Sequence, residues 1–84
     1  MVELVSFLVK ALVAEPDRVK VDLVSQSSDL VIEVRVAEED LGRVIGRDGR
    51  VANAIRTVVK AAASARRGKD LPEGSRVMVE IVED

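Results

Sequence analysis

Cysteine, histidine, tryptophan and tyrosine are all absent from this 84-residue chain. Without cysteine there is no disulfide, no thiol nucleophile and no zinc–thiolate site. Without histidine there is no imidazole for metal binding or for proton transfer near neutral pH. Phe7 is the only aromatic residue. Stacking on aromatic platforms is therefore not the main way this chain would hold bases, and its core must be built from Val, Ile, Leu and Ala. Long apolar runs are missing too. Met1 to Val13 is rich in apolar residues, but Glu3 and Lys10 interrupt it, and it is shorter than the ~20 residues that span a bilayer. It has neither a basic leading region nor a small-residue cleavage site, so it reads as a helix of the folded domain. The absence of cysteine fits a cytoplasmic home.

What is present is 48% apolar residues, enough for one domain over residues 1–84 but not for two ordinary cores. The net charge is −2, which argues against a chain that binds nucleic acid over its whole surface. The distribution says more. Residues 42–67 carry Arg43, Arg47, Arg50, Arg56, Lys60, Arg66 and Arg67 against Asp48 alone, a local balance of +6 that leaves −8 for the rest. A basic segment is the footprint a phosphate binder needs, although the wet face of a long helix can carry the same charges.

Residues 2–14 fit a helix, with Leu4, Val5, Leu8, Ala11 and Leu12 at three- and four-residue spacing. Phe7, Val9 and Val13 widen its apolar face and leave a narrow polar stripe of Glu3, Ser6 and Lys10. Such a helix wants cover on more than one side: the sheet, and either the rest of the monomer or a partner chain. Pro16 ends it. Arg18 to Ser25 alternates, with Val19, Val21 and Leu23 on one face. After the polar turn Gln26–Asp29, Leu30 to Val36 alternates again, with Leu30, Ile32, Val34 and Val36 inward, so the two strands form a hairpin. Glu38, Glu39 and Asp40 are read as first-turn acids of a short helix in which Leu41, Val44 and Ile45 face the core. A long helix follows from about Arg50 to Arg67, packing through Val51, Ala52, Ile55, Val58, Val59 and Ala62 and carrying a polar stripe of Asn53, Thr57, Lys60 and Ser64. Gly68 suits its C-cap. Lys69 to Ser75 is a loop, Arg76 to Val82 a strand with Val77, Val79 and Ile81 on one face, and Glu83–Asp84 an acidic end. The expected architecture is α+β, in the order α-β-β-α-α-β, a three-stranded sheet with helices on one face. The strand order is left open.

The chemistry concentrates at Val44-Ile45-Gly46-Arg47-Asp48-Gly49-Arg50. Two glycines enclose two polar residues where one helix stops and the next begins. A loop that opens a helix exposes unpaired N–H groups and the positive end of the helix dipole, which suits phosphate oxygens. The spacing of Gly42, Gly46 and Gly49 matches neither the dinucleotide fingerprint nor a Walker loop. Glu38, Glu39 and Asp40 offer carboxylates, but no His, Cys or Tyr stands beside them, so an enzyme is not expected.

Gly46-x-x-Gly49 followed by a helix resembles the GXXG corner of a KH domain, a module that clamps about four nucleotides of a single strand. The whole chain is similar to the KhpA family of small stand-alone bacterial KH proteins. Gly42-Arg43-Val44-Ile45-Gly46, Asn53-Ala54-Ile55-Arg56-Thr57, the opening helix and the final strand fall where that family has them. Two positions depart from the pattern: an acid, Asp48, lies between the glycines, and Ala52 stands where Ile is favoured. The resemblance implies a type II KH domain that binds single-stranded RNA. It also implies an RNA chaperone that pairs with a second KH protein, KhpB, and is linked to cell-wall synthesis and cell shape. No cofactor or metal is implied. The RNA-contacting set it points to is Arg43, Val44, Ile45, Gly46, Arg47, Asp48, Gly49, Arg50 and Asn53. Bases would lie on Val44 and Ile45 together with Ile32 or Val34, and the N–H groups of Asp48, Gly49 and Arg50 would face phosphate. The competing expectation is an interaction module, a homodimer or a pair with a KhpB-type protein, that associates through the first helix with little RNA contact of its own.

Overall fold

The computed structural model describes residues 1–66 and 74–82. Helix α1 spans Val2–Leu12 and ends where Val13 turns extended (φ −93°, ψ 159°), ahead of Pro16. Pro16–Arg18 is a single 3-10 turn, which takes two residues from the strand expected there, so β1 begins at Lys20 and runs to Gln26. Ser27 and Ser28 link it to β2, Asp29–Arg35, with Ser27 at φ 56°. A positive φ in a two-residue hairpin link matches the right-handed twist of the paired strands. A 3-10 turn, Glu38–Asp40, leads into α2, Leu41–Ile45. The corner follows, then α3, Arg50–Arg66, and finally β3, Val77–Val82. The expected cap at Gly68, the loop from Lys69 as far as residue 73 and the end at Glu83–Asp84 lie outside the described residues.

The strand order is β1-β2-β3, with β2 antiparallel to β1 and parallel to β3. The parallel pairing forces the chain to cross from one end of the sheet to the other between β2 and β3. That crossing carries α2, the corner and α3. Helix α1 lies against β1 and α3 against β3, with α2 touching both helices. This is the α+β architecture with all helices on one face.

The core is aliphatic: Val5 and Val9 of α1, Ile32 and Val34 of β2, Val36, Val44, Ile55, Val59 and Ala63, and Val77 and Val79 of β3. Each fully buried Val or Ile contributes about 1.5–3 kcal/mol. Val5 and Val9 therefore serve the monomer's own core. The outward apolar residues of α1 are Phe7, Ala11 and Leu12, beside the exposed Glu3 and Lys10, and Phe7 is 70% exposed. Three further positions differ from the pattern-based expectation, the first being Ile45, expected to face the core but exposed at the end of α2 where the chain turns into the corner. Leu23 on β1 is exposed because the helices do not cover it, whereas Val77 and Val79 on the other edge strand are buried under α3. On α3 the buried line runs Ala52, Ile55, Val59, Ala63, so Val58 is on the outside.

The other face of the sheet has no helix, and the register arranges it in rows. Val24, Val31 and Met78 form an apolar row, and Asp22, Glu33 and Glu80 form an acidic one. Like charges directly opposite each other weaken strand pairing. One cation relieves the acidic row, with Arg35 Nη2 3.9 Å from Glu33 Oε1. At the end of the sheet Arg76 donates to the Asp29 carboxylate at 3.0 Å and 3.4 Å, tying the start of β3 to the start of β2.

Candidate nucleic-acid interface

Gly46 stops α2 at φ 75°, ψ 174°, a backbone region open essentially to glycine alone. Its N–H donates to the Gly42 carbonyl at 2.9 Å. A Cβ at Gly46 would stand 2.4 Å from Val51 Cγ2 and 2.9 Å from the Val51 backbone nitrogen. The close approach that Gly46 permits is thus to the chain's own next helix. Gly49 is also left-handed, at φ 77°, but a Cβ there would meet only Asn53 Nδ2 at 3.9 Å. The open side of the corner is at Gly49. Between them Asp48 is left-handed at φ 56°, ψ 24°. Among residues with a Cβ, Asp and Asn enter that region at least cost. The acid that departs from the family pattern is therefore a residue suited to this turn.

The turn uses two of the three N–H groups expected to face a ligand. Gly49 donates to the Gly46 carbonyl at 3.2 Å, and Arg50 donates to Arg47. What the corner presents outward is the N-terminal end of a 17-residue helix with its dipole and two cations. Arg47 and Arg50 are exposed, and among the described residues neither has an ion pair.

Arg43 is tethered, with its Nε 3.4 Å from Asp40 Oδ1. Asp40 itself differs from the expected solvated first-turn acid, being only 1% exposed. Its two carboxylate oxygens accept the backbone N–H groups of Ala14 and Glu15 at 3.0 Å and 3.1 Å. This satisfies amides just past the end of α1 and pins that connection to the foot of α2. Beside it, Glu15 and Glu39 share a hydrogen bond. The bond and the neighbouring charge of Glu39 push the Glu15 carboxyl up, while backbone and side-chain hydrogen bonds hold Glu39 down.

Val44 has no exposed surface. It supports the corner from beneath and offers no side chain to a ligand. Ile45 is 40% exposed beside the loop. Ile32 and Val34, expected to extend the apolar surface, are fully buried under the helices and cannot line a groove. The groove that does adjoin the corner lies between α3 and β3. Asn53, next to Gly49, accepts a hydrogen bond from Arg56 Nη1 at 3.2 Å, and Arg56 Nε donates to the Val79 carbonyl at 3.2 Å. Arg56, Lys60, Val77, Met78, Val79 and Glu80 line an open groove of about 260 Å³ from there, shallower than the ~300–1,000 Å³ clefts that enclose whole small molecules. Arg47, Gly49 and Arg50 thus join Asn53 in one strip that continues into this groove, while Val44 lies beneath it and Arg43 is tied back to Asp40.

Arg56 and Lys60 belong to the basic segment, but the sequence alone does not place them at the site. Arg56 lies three residues and Lys60 seven residues after Asn53, which puts all three on one helical face. That the face borders a strand edge depends on β3 lying outermost, which no local pattern encodes. Among the described residues no group of three acidic side chains converges on a metal position, and no helix is long and apolar enough to cross a membrane.

Comparison with known proteins follows the same lines. The sequence model of the KhpA/KhpB KH domain matches residues 2–72. RNA-binding protein KhpA of Caldanaerobacter subterraneus subsp. tengcongensis is 50% identical over 82 residues, covering 98% of this chain and 100% of that protein. Its counterpart in Clostridium acetobutylicum is 45% identical over 82 residues with the same coverage. That of Mycobacterium tuberculosis is 48% identical over 59 residues, 70% of this chain and 74% of that protein. Among solved structures, Era bound to MgGDPNP and nucleotides 1506–1542 of 16S ribosomal RNA shares the fold with a TM-score of 0.62 at 21% identity. The match covers 99% of this chain and 30% of that one, and Aquifex aeolicus Era bound to GDP and aluminium fluoride gives the same TM-score. The element order, the glycine corner opening a long helix and near full-length matches at up to 50% identity agree, and the chain belongs to the KhpA/KhpB KH-domain family.

Proposed function

We propose that this protein is a single-domain binder of single-stranded RNA. It grips the sugar–phosphate backbone at Gly46–Gly49 and the start of α3, and lays the following bases along the groove between α3 and β3. The observation that carries this reading is the charge layout of the corner. Arg47 and Arg50 are exposed and, among the described residues, without ion pairs at the positive end of a long helix, and the strip leads into a groove with Arg56 and Lys60 on its wall. The acidic row on the open sheet face repels phosphate, and Glu80, which ends that row, also lines the groove, so the backbone phosphates are held at the corner and the bases lie in the groove. The relatives' name, RNA-binding protein KhpA, supports the same conclusion. A role as an RNA chaperone in the cytoplasm, working with a KhpB-type partner in cell-wall and cell-shape control, follows from the family resemblance.

The test is Arg47→Asp, which puts two acids between the glycines and touches no core residue. Stability should change by less than about 0.5 kcal/mol, while binding of a single-stranded RNA oligonucleotide is lost. Wild-type affinity should fall with salt at a log–log slope of about −2 to −3, three or four phosphate contacts on a single strand. A folded Arg47→Asp variant with unchanged affinity removes the corner as the site.

Phe7 supports a second activity alongside the first. The chain's single aromatic side chain is 70% exposed on α1, with Leu12 on the same helix 39% exposed. This is the surface through which a second copy or a KhpB-type protein would associate. Phe7→Glu should leave the monomer's melting temperature unchanged and abolish association in sedimentation. A wild type that stays monomeric at high concentration and alongside a KhpB-type protein removes this reading.

A further inference from the structure

The free edge of β3 is guarded by one side chain. The Arg76 carbonyl accepts from Leu30 N–H at 2.8 Å. By strand alternation, Arg76, Met78 and Glu80 turn their backbone groups toward β2, and Val77, Val79 and Ile81 turn theirs to the open edge. At the middle of that edge the Val79 carbonyl is already taken by Arg56 Nε. A second bond, Nη1 to Asn53 Oδ1, fixes the plane of the guanidinium. A guanidinium has five N–H donors, so three remain directed away from these two partners. The remaining cation of the groove, Lys60, also only donates.

We propose that Arg56 is the specificity-determining residue of this groove, admitting a base that presents carbonyl acceptors, guanine or uracil, over one that presents an amino group, adenine or cytosine. The inference rests on the reading above that single-stranded RNA occupies the groove. A base lying along the β3 edge, against the backbone of Val77 and Val79 and the exposed Met78, directs its edge at Arg56. Guanine offers O6 and N7 and uracil offers O4, all acceptors for the remaining N–H groups. The amino groups of adenine and cytosine would meet donors. The Val79 carbonyl keeps one lone pair beside Arg56 Nε and Glu80 lines the same groove, so the preference rests on the base edge that meets the guanidinium and not on a lack of acceptors elsewhere. Guanine gains most, because two adjacent acceptors match the planar fork.

The experiment measures binding of adenine octamers in which one central base is replaced in turn by guanine, uracil or cytosine. For the wild type, guanine should bind about tenfold more tightly than adenine, with uracil between them and cytosine near adenine. Arg56→Met keeps the aliphatic stem and removes the donors, and it should bring the four affinities to within about twofold of one another. Arg56→Lys keeps the charge and removes the fork, and it should preserve the mean affinity while losing the guanine preference. Both variants are compared by circular dichroism melting. If Arg56→Met does not fold, Arg56→Lys alone decides the matter. Equal wild-type affinities for the four octamers overturn the proposal, as does an Arg56 variant that weakens all four equally and leaves their ratios intact. Arg47→Asp in parallel separates the two levels. If it abolishes binding of all four octamers while the Arg56 ratios do not move, the corner stands and the base preference falls. If it changes nothing, the RNA reading itself falls.

Discussion

Three glycines lie within eight residues of the corner, and the structure gives each a different cost of acquiring a methyl group. Gly42 is in α2, and a methyl group there would have nothing within 4 Å. Gly42→Ala should stabilise by about 0.4–1 kcal/mol, chiefly by restricting the unfolded chain. Gly49 has φ 77° and open space, so Gly49→Ala should cost only the left-handed penalty, about 1–2 kcal/mol. Gly46 has both a glycine-only backbone and a collision with Val51 at 2.4 Å, 2.8 Å and 2.9 Å. The backbone strain is about 1–3 kcal/mol and the overpacking about 1–3 kcal/mol, so Gly46→Ala should cost about 2–6 kcal/mol. For a chain of 84 residues the whole stability is about 4–13 kcal/mol. The melting temperature should therefore fall by about 8 °C at the least. Thermal and urea unfolding followed by circular dichroism read all three variants. Val51→Ala removes the nearest colliding atom, so the double variant Gly46→Ala/Val51→Ala should lose about 1 kcal/mol less than the sum of its parts. Equal losses for Gly46→Ala and Gly49→Ala would show that the contact with Val51 has no energetic weight, and the account of the corner would be wrong.

Asp48 tests charge against turn chemistry. Asp48→Asn keeps a residue that tolerates φ 56° and removes the charge, so stability should hold and RNA affinity rise by about 0.5–1 kcal/mol in an exposed, salt-screened loop. Asp48→Lys should lose about 1 kcal/mol of stability to the left-handed backbone; if Asn and Asp bind RNA equally while Lys binds less well, repulsion at this position is refuted. Asp40→Ala removes two charge-assisted bonds to the backbone beyond α1 and should cost about 2–4 kcal/mol in denaturant titration, a loss under about 1 kcal/mol being evidence that water replaces the carboxylate.

Most of the fold is legible in the sequence because each element carries its own period. Alternation in Leu30 to Val36 and the three-four spacing in residues 2–14 are local facts, and the structure follows them. The misreadings come from places where a neighbour decides. Leu23 obeys strand alternation and is still exposed, because how far the helices reach over the sheet is a property of the assembled fold. Asp40 looks like any first-turn acid until the end of α1 arrives above it with two unpaired amides. The corner is legible from its glycines, but which glycine faces a ligand is not. That depends on Val51 packing under Gly46. The groove escapes for the same reason as the strand order: Arg56 borders a strand edge only because β3 pairs outside β2.

The parallel pairing of β2 with β3 also bears on how fast the molecule forms. Asp29 and Arg76, bonded in the sheet, are 47 positions apart, and closing a flexible loop of that length costs on the order of 3.4 kcal/mol before any contact repays it. The corner lies inside that loop. By folding α2 back on α3 it shortens the distance β3 must search. Strain placed at Gly46 should therefore show in the refolding rate, whereas trimming Phe7 on the periphery should leave that rate alone. The residues proposed to hold RNA would then also set the time this chain spends with its sheet incomplete and the edge of β2 unpaired.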